Sequence, residues 1–283
     1  MDQVNPQHSL AHWKGCNCFR CTHPWMLPYI HEDIIGPEMM KFHLNYLDRL
    51  DAREDRPKEA HWASDGLFSC IRKEWLGWHG AVPTNSDFNS QILELGKSIE
   101  EDIIERYKLS GTMVGTDRYI KIQDPRLRYP ITGKIDVLVV DGGVVLPVEV
   151  KSTKDNSEFK HYDAWKKLLP RGEHVAQLTV YLKARKLSRG RLHYMNKNRS
   201  LDAWYYVDFV EQFFDEIVAK FKEVEDSLPK PEPLIPTGLK SDTFPCSWYS
   251  SDRNKEEAVG KCMFWEHCHG EVPITLKFEQ VTW

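Results

Sequence analysis

No stretch of this 283-residue chain approaches the roughly 18 consecutive uncharged apolar residues that a membrane-spanning helix requires, so no membrane role is expected. The opening MDQVNPQHSLAHWKGC has no basic start followed by an apolar segment, and a location inside a cell is expected. Excess positive charge is also missing. A formal net charge of −4 excludes a protein that holds nucleic acid by an overall basic field, so any such contact must be local. Neither internal repeats nor low-complexity tracts occur. The 41% hydrophobic and 28% charged residues are those of an ordinary globular chain rather than a disordered one.

What is present falls into three stretches. Residues 1–60 are rich in His, Pro, Trp and Cys, with one helix-like run, and read as an extension. Residues 61–228 alternate helical and strand periods, as in an α/β core with a mixed sheet. Residues 229–283 begin with the proline-rich connector PKPEPLIPTGLK and end in a cysteine-bearing segment. One basic stretch stands out: between Lys183 and Arg199, Lys183, Arg185, Arg189 and Arg191 are candidate DNA-binding residues, with no acid among them.

The most informative segment is ITGKIDVLVVDGGVVLPVEVKSTKD. Two β-rich runs, largely apolar on both faces, flank Asp141-Gly142-Gly143, the composition of a tight hairpin. With the two glycines as the loop, Asp141 pairs with Val144, and counting back sets Asp136 opposite Glu149, Cβ atoms roughly 5 Å apart. Lys151, two residues beyond Glu149, shares its face. A three-residue loop would shift the register by one and separate them. Two carboxylates and an ammonium among valines and isoleucines need a partner, and Mg²⁺ or Mn²⁺ suits hard oxygen ligands. A water bound to that cation would attack phosphorus.

Two helices extend the constellation. In LELGKSIEEDIIERYK, the 3.6 period puts Leu95, Ile99 and Ile103 on the core stripe. Glu100 lies on its flank with Gly96, while Glu94, Glu101 and Glu105 point away. In HVAQLTVYLKAR, spacings of three and four place His174, Gln177 and Tyr181 on one face. Taken bare, these are the polar flanks of amphipathic helices.

The G-x-x-x-E, TGKID, EVK and H-x-x-Q-L-x-x-Y-L elements, in this order over roughly residues 64–270, resemble the RecB-like branch of the PD-(D/E)xK nucleases. Within that branch the chain is similar to the iron–sulfur CRISPR-associated adaptation nucleases and to phage-type RecB-like exonucleases. The resemblance implies a restriction-endonuclease-like core and a deoxyribonuclease acting on single-stranded or ended DNA, in a prokaryote or phage-infected cell, alongside other replication or recombination proteins. It implies that Asp136, Glu149 and Glu100 hold Mg²⁺ or Mn²⁺, that Lys151 activates water or stabilises charge, and that Gln177 and Tyr181 contact substrate or support the site. Tyr194, Trp204 and Tyr205 are candidates for stacking on bases.

Seven cysteines without a secretion signal are read as metal ligands or core thiols. The resemblance implies a [4Fe–4S] cluster on Cys70, Cys246, Cys262 and Cys268, clipping the chain's ends around the core; zinc would also suit four thiolates. Here fifteen residues separate Cys246 from Cys262, where the family often has a close pair. Cys16, Cys18 and Cys21 with His23 offer a zinc site, or a cluster ligand in place of Cys70. Two rivals remain open: a non-catalytic iron–sulfur nucleic-acid-binding protein and an iron–sulfur redox carrier.

Overall fold

The valine-rich runs around Asp141 form the two central strands of a mixed sheet. The computed structural model describes residues 30–33, 59–81, 87–153, 169–197, 201–232, 247–248, 260–261 and 267–268. In chain order the elements are β1 (Ile30–Asp33), β2 (His61–Trp62), α1 (Ile71–Trp78), α2 (Asp87–Leu109), β3 (Met113–Ile122), β4 (Ile131–Asp141), β5 (Val144–Thr153), α3 (Gly172–Arg185), β6 (Arg189–Asn196), β7 (Leu201–Asp208), α4 (Glu211–Ser227), β8 (Ser247–Trp248) and β9 (Gly260–Lys261). The sheet runs β1-β7-β6-β5-β4-β2, with β3 also on β4. β5 and β6 are parallel, which requires a crossover, and α3 supplies it. Among the described residues no helix is long and apolar enough to cross a membrane.

The hairpin turn takes the expected form. Gly142 and Gly143 adopt φ values of 55° and 83°, the left-handed conformations that a two-residue hairpin loop demands, and Asp141 pairs with Val144. From there the β4–β5 ladder runs to Val137 opposite Val148 and stops. One residue further the strands part. The N–H of Val150 donates to the Asp136 carboxylate at 2.8 Å, in place of a ladder bond. β2 then occupies the vacated edge of β4, pairing in parallel with Ile131 and Thr132.

The parting also reverses the alternation of side chains. Ile131 and Ile135 join the cluster built on α3 and α4, whereas Val137 and Val139 join Ile103 and Tyr107 of α2 on the other face. The core is thus three-layered, with α3 and α4 below the sheet and α2 above. Phe213, Phe214, Ile217 and Phe221 of α4 fill the lower layer. Glu225 accepts the N–H groups of Arg128 and Tyr129 at 2.9 and 2.8 Å and meets His61 Nε2 at 3.0 Å, tying β2 and the approach to β4 onto α4. α1 packs Trp75, Leu76 and Trp78 against Val224 and Leu228.

Three sequence expectations shift. Leu95, placed on the core stripe by helical period, is 49% exposed; at this turn of α2 it is the adjacent Gly96 that approaches the sheet, at Ser152 of β5. Val140, Val144 and Val145, next to the turn, are exposed, so the hairpin is buried toward its open end only. Tyr194, Trp204 and Tyr205 are buried in the core and have no face to offer a base.

Gly133 is where α3 comes closest to β4. A Cβ there would lie 2.8 Å from Tyr181 Cε1 and 3.1 Å from Ala63 Cβ. Gly133→Ala is expected to cost about 1–3 kcal/mol through overpacking, lowering the melting temperature by several degrees. Thermal unfolding followed by circular dichroism checks this, and an unchanged melt would mean that α3 is free to shift away.

Candidate active site

Strand parity sets Glu149 and Lys151 on the sheet face beneath which α3 lies, and the parting of the strands leaves a gap beside them. Glu149 is fully buried, while the Lys151 side chain is 28% exposed and forms an ion pair with Glu149 Oε1. Apart from that ammonium, no donor among the described residues reaches either Glu149 oxygen. Asp136, also buried, spends Oδ2 on Val150 N–H. Glu100 reaches the cluster from α2, close enough for its charge to act on both Glu149 and Lys151.

The titration of these groups follows from their burial. The Glu149 carboxyl is held well above the usual carboxylate range, by burial first and by the negative charge of Asp136 second, with Lys151 opposing. For Lys151, burial is the largest single influence and favours the neutral amine. The carboxylates of Glu149, Asp136 and Glu100 together outweigh it and hold the ammonium above its ordinary range. Two carboxylates and one ammonium therefore share a low-dielectric gap that is short of positive charge.

Around this cluster α3 supplies a rigid polar frame. Tyr181 donates to the carbonyl of Lys134 at 2.8 Å and accepts from Gln177 Nε2 at 2.7 Å. The Tyr181 hydroxyl is held above its usual range by burial and then by Glu149 and Asp136, so it stays a neutral donor. Tyr181 accordingly supports β4 two residues before Asp136. Tyr194 accepts Arg171 N–H at 3.1 Å and lies 2.8 Å from His174 Nδ1. Burial, then the charges of Lys151 and Arg171, hold His174 far below its ordinary range. The imidazole is therefore neutral and shares a hydrogen bond with the Tyr194 hydroxyl through Nδ1. The Tyr194 hydroxyl and the Val150 amide are parts of the site that no sequence spacing singled out.

The basic stretch is arranged differently from the expectation. Arg191 is buried and bound to Asp141 and Tyr206, on the face opposite Glu149. Lys183 pairs with Glu211 and Arg189 with Asp208. Arg185, exposed, lies with Lys183 at the end of α3 remote from His174. These residues do not form an open basic patch beside the cluster.

No three His, Cys, Asp or Glu side chains among the described residues form a ready-made metal cage. A hard divalent cation does not require one. Mg²⁺ is commonly held by one or two carboxylates, retaining waters and taking substrate oxygens. The orphaned Glu149 oxygens beside Asp136 fit that demand. Among the thiols, Cys70 caps the start of α1, and Cys268 packs against the same small core as Ile71. His267 and Arg72 both meet Glu232, at 2.9 and 2.6 Å, which docks this segment on α1. Cys246 and Cys262 lie outside the described residues, next to the paired strands β8 and β9, as do Cys16, Cys18, Cys21 and His23.

No protein-family model matches the chain, and no curated protein matches it significantly. Among solved structures it is similar to an alkaline exonuclease, LHK-Exo, from Laribacter hongkongensis, with a TM-score of 0.42 and 14% identity over 60% of this chain and 90% of that one. The same exonuclease in complex with dAMP gives 0.40 and 12%, over 60% and 88%. The protein SSO0001 gives 0.40 and 17%, over 64% and 81%.

A carboxyl group whose pKa is raised by folding stabilises the fold fully only below its unfolded value, and that contribution is lost as pH rises toward the folded value. In chelator, the melting temperature of the wild type relative to Glu149→Gln is thus expected to fall from about pH 5 upward. Added Mn²⁺ should restore it in the wild type alone, and more at higher pH. Parallel pH profiles for the two proteins would rule out Glu149 as the titrating group.

Proposed function

We propose that this protein is a metal-dependent nuclease that hydrolyses phosphodiester bonds of DNA, with Asp136, Glu149 and Lys151 at its centre. The observation that carries this reading is the fully buried Glu149 carboxylate, beside Asp136, with no donor but Lys151. Burying two neighbouring carboxylates against a single ammonium is costly to a fold, whereas a cation-binding site needs such a surplus of negative charge.

Asp136 and Glu149 would hold Mg²⁺ or Mn²⁺, with Glu100 adding negative charge. When bound, the cation supplies Lewis-acid chemistry, lowering the pKa of a water and offsetting charge on phosphate. The protein's own groups do the rest. Lys151, whose ammonium is held above its ordinary range by three acidic neighbours, would stabilise the charge that develops on the phosphate oxygens and orient the attacking water. Tyr181 and Gln177 fix β4 so that Asp136 keeps its place. The iron–sulfur reading joins this proposal at Cys70 and Cys268, whose common docking site on α1 suits two ligands of a four-thiolate cluster. Zinc at Cys16, Cys18, Cys21 and His23 remains a proposal from the sequence.

The reading is tested by degradation of end-labelled single- and double-stranded DNA with and without Mg²⁺ or Mn²⁺. Cutting is expected only with metal and should fall by at least about 10²–10³-fold in Glu149→Ala and Lys151→Ala. No cutting under any condition, with DNA still bound, would leave a binding protein instead. For the thiols, anaerobically purified protein should contain iron and absorb visible light, and Cys70→Ser and Cys268→Ser should lose both. Full iron retention in these variants would exclude the two residues as ligands.

A further inference from the structure

The rings that the sequence offered for stacking are buried, but two others are not. Tyr119 is 75% exposed and Trp62 is 45% exposed. The sheet register brings them together. Trp62 pairs with Thr132, Thr132 with Lys121, and Lys134 with Tyr119, so all five share one face across β2, β4 and β3. Their alternating neighbours His61, Ile120 and Ile131 point into the core instead. Neither ring is therefore required for packing. With strands about 4.8 Å apart and about 3.4 Å per residue, the backbone positions that carry the two rings sit roughly 12 Å from each other.

We infer that this strip is a docking surface for single-stranded nucleic acid, with bases stacking on Trp62 and Tyr119 and Lys121 and Lys134 facing the phosphates. The inference rests on the nuclease reading and names the form of substrate that reading would take. Chemistry selects the occupant: aromatic faces alternating with lysines complement a polymer that alternates flat bases with phosphates. Geometry selects the strand form. Bases inside a duplex have both faces stacked at a rise of about 3.4 Å, so rings so widely spaced can be met only by bases that have left a helix. Lys134 lies two residues before Asp136 on β4, so the strip adjoins the parting of β4 and β5 along the strand, on the sheet face away from α3 and from the Glu149 and Lys151 side chains.

The test is fluorescence anisotropy of a dye-labelled oligothymidylate in chelator, which prevents cutting, with a blunt duplex as comparison. Trp62→Ala and Tyr119→Ala should each weaken binding of the single strand by about 5- to 150-fold, with duplex binding unchanged. Trp62→Phe and Tyr119→Phe should restore most of it. Failure of the wild type to bind the single strand, unchanged affinity in both alanine variants, or equal loss for duplex and single strand would each overturn the proposal. Cutting is scored separately: ring-dependent binding without metal-dependent cutting would leave the strip standing and remove the nuclease, and cutting with ring-independent binding would do the reverse.

Discussion

A carboxylate in an apolar interior must be protonated, paired or bound to a cation, and around Glu149 the fold supplies too little of any of these. Lys151 is the one positive group at its oxygens, and Asp136 and Glu100 compete for the same charge. The deficit exists because β4 and β5 separate at Asp136. Had the ladder continued, Val150 N–H would have bonded to backbone and the strands would have closed over the gap. Instead the Asp136 side chain takes that donor, the side-chain alternation of β4 reverses, and β2 seals the strand edge beyond. Tyr181, Gln177 and the close approach at Gly133 hold the separated strand in place from below.

The opposite face of the same sheet shows what a structural cluster of similar composition looks like. There Arg191 meets Asp141 and Tyr206, Arg106 meets Asp102 and Asp202, and His193 meets Asp202 and Tyr107 at 3.2 and 3.0 Å. Each of these acids meets a base, and both ring nitrogens of His193 have a partner. Buried ionic groups that stabilise nothing beyond the fold are expected to be closed in this way. The Glu149 cluster differs in sign: its surplus is negative, and it opens at Lys151 toward solvent, which is why the proposed function is placed there.

How far the sequence could be read depended on the range of the interaction concerned. The hairpin register followed from Asp141-Gly142-Gly143 and the period of two, because both are local. The inward flank of Glu100 and the common face of Gln177 and Tyr181 followed from helical period for the same reason. The halt of the ladder at Val137 did not, since it depends on a side chain capturing a backbone donor across the strands. Period placed Ile99 and Ile103 correctly but not Leu95, because at that turn of α2 it is Gly96 that meets β5. The basic stretch misled because its partners Asp141, Asp208 and Glu211 are supplied by other elements, so a run without acids in sequence became a run of ion pairs in space. Trp62 and Tyr119 were invisible for the converse reason: a ring shows its exposure only once the strand beside it is known.

The neutralised basic stretch also constrains how a polyanion can be held. With a net charge of −4, and with Lys183, Arg189 and Arg191 meeting internal acids, the basic stretch offers less unpaired positive charge for counterion release than its sequence suggests. Affinity must then draw on terms that salt does not screen: stacking of bases on exposed rings, and phosphate oxygens entering a cation site in a low-dielectric gap. Both are short-ranged and require the strand to be open. The acidic surplus at Glu149 strengthens this dependence, because without a cation the gap repels phosphate, and with one it attracts it. On the nuclease reading, engagement of substrate at the cluster would thereby be coupled to metal occupancy, with the initial hold on the strand left to surfaces outside the cluster.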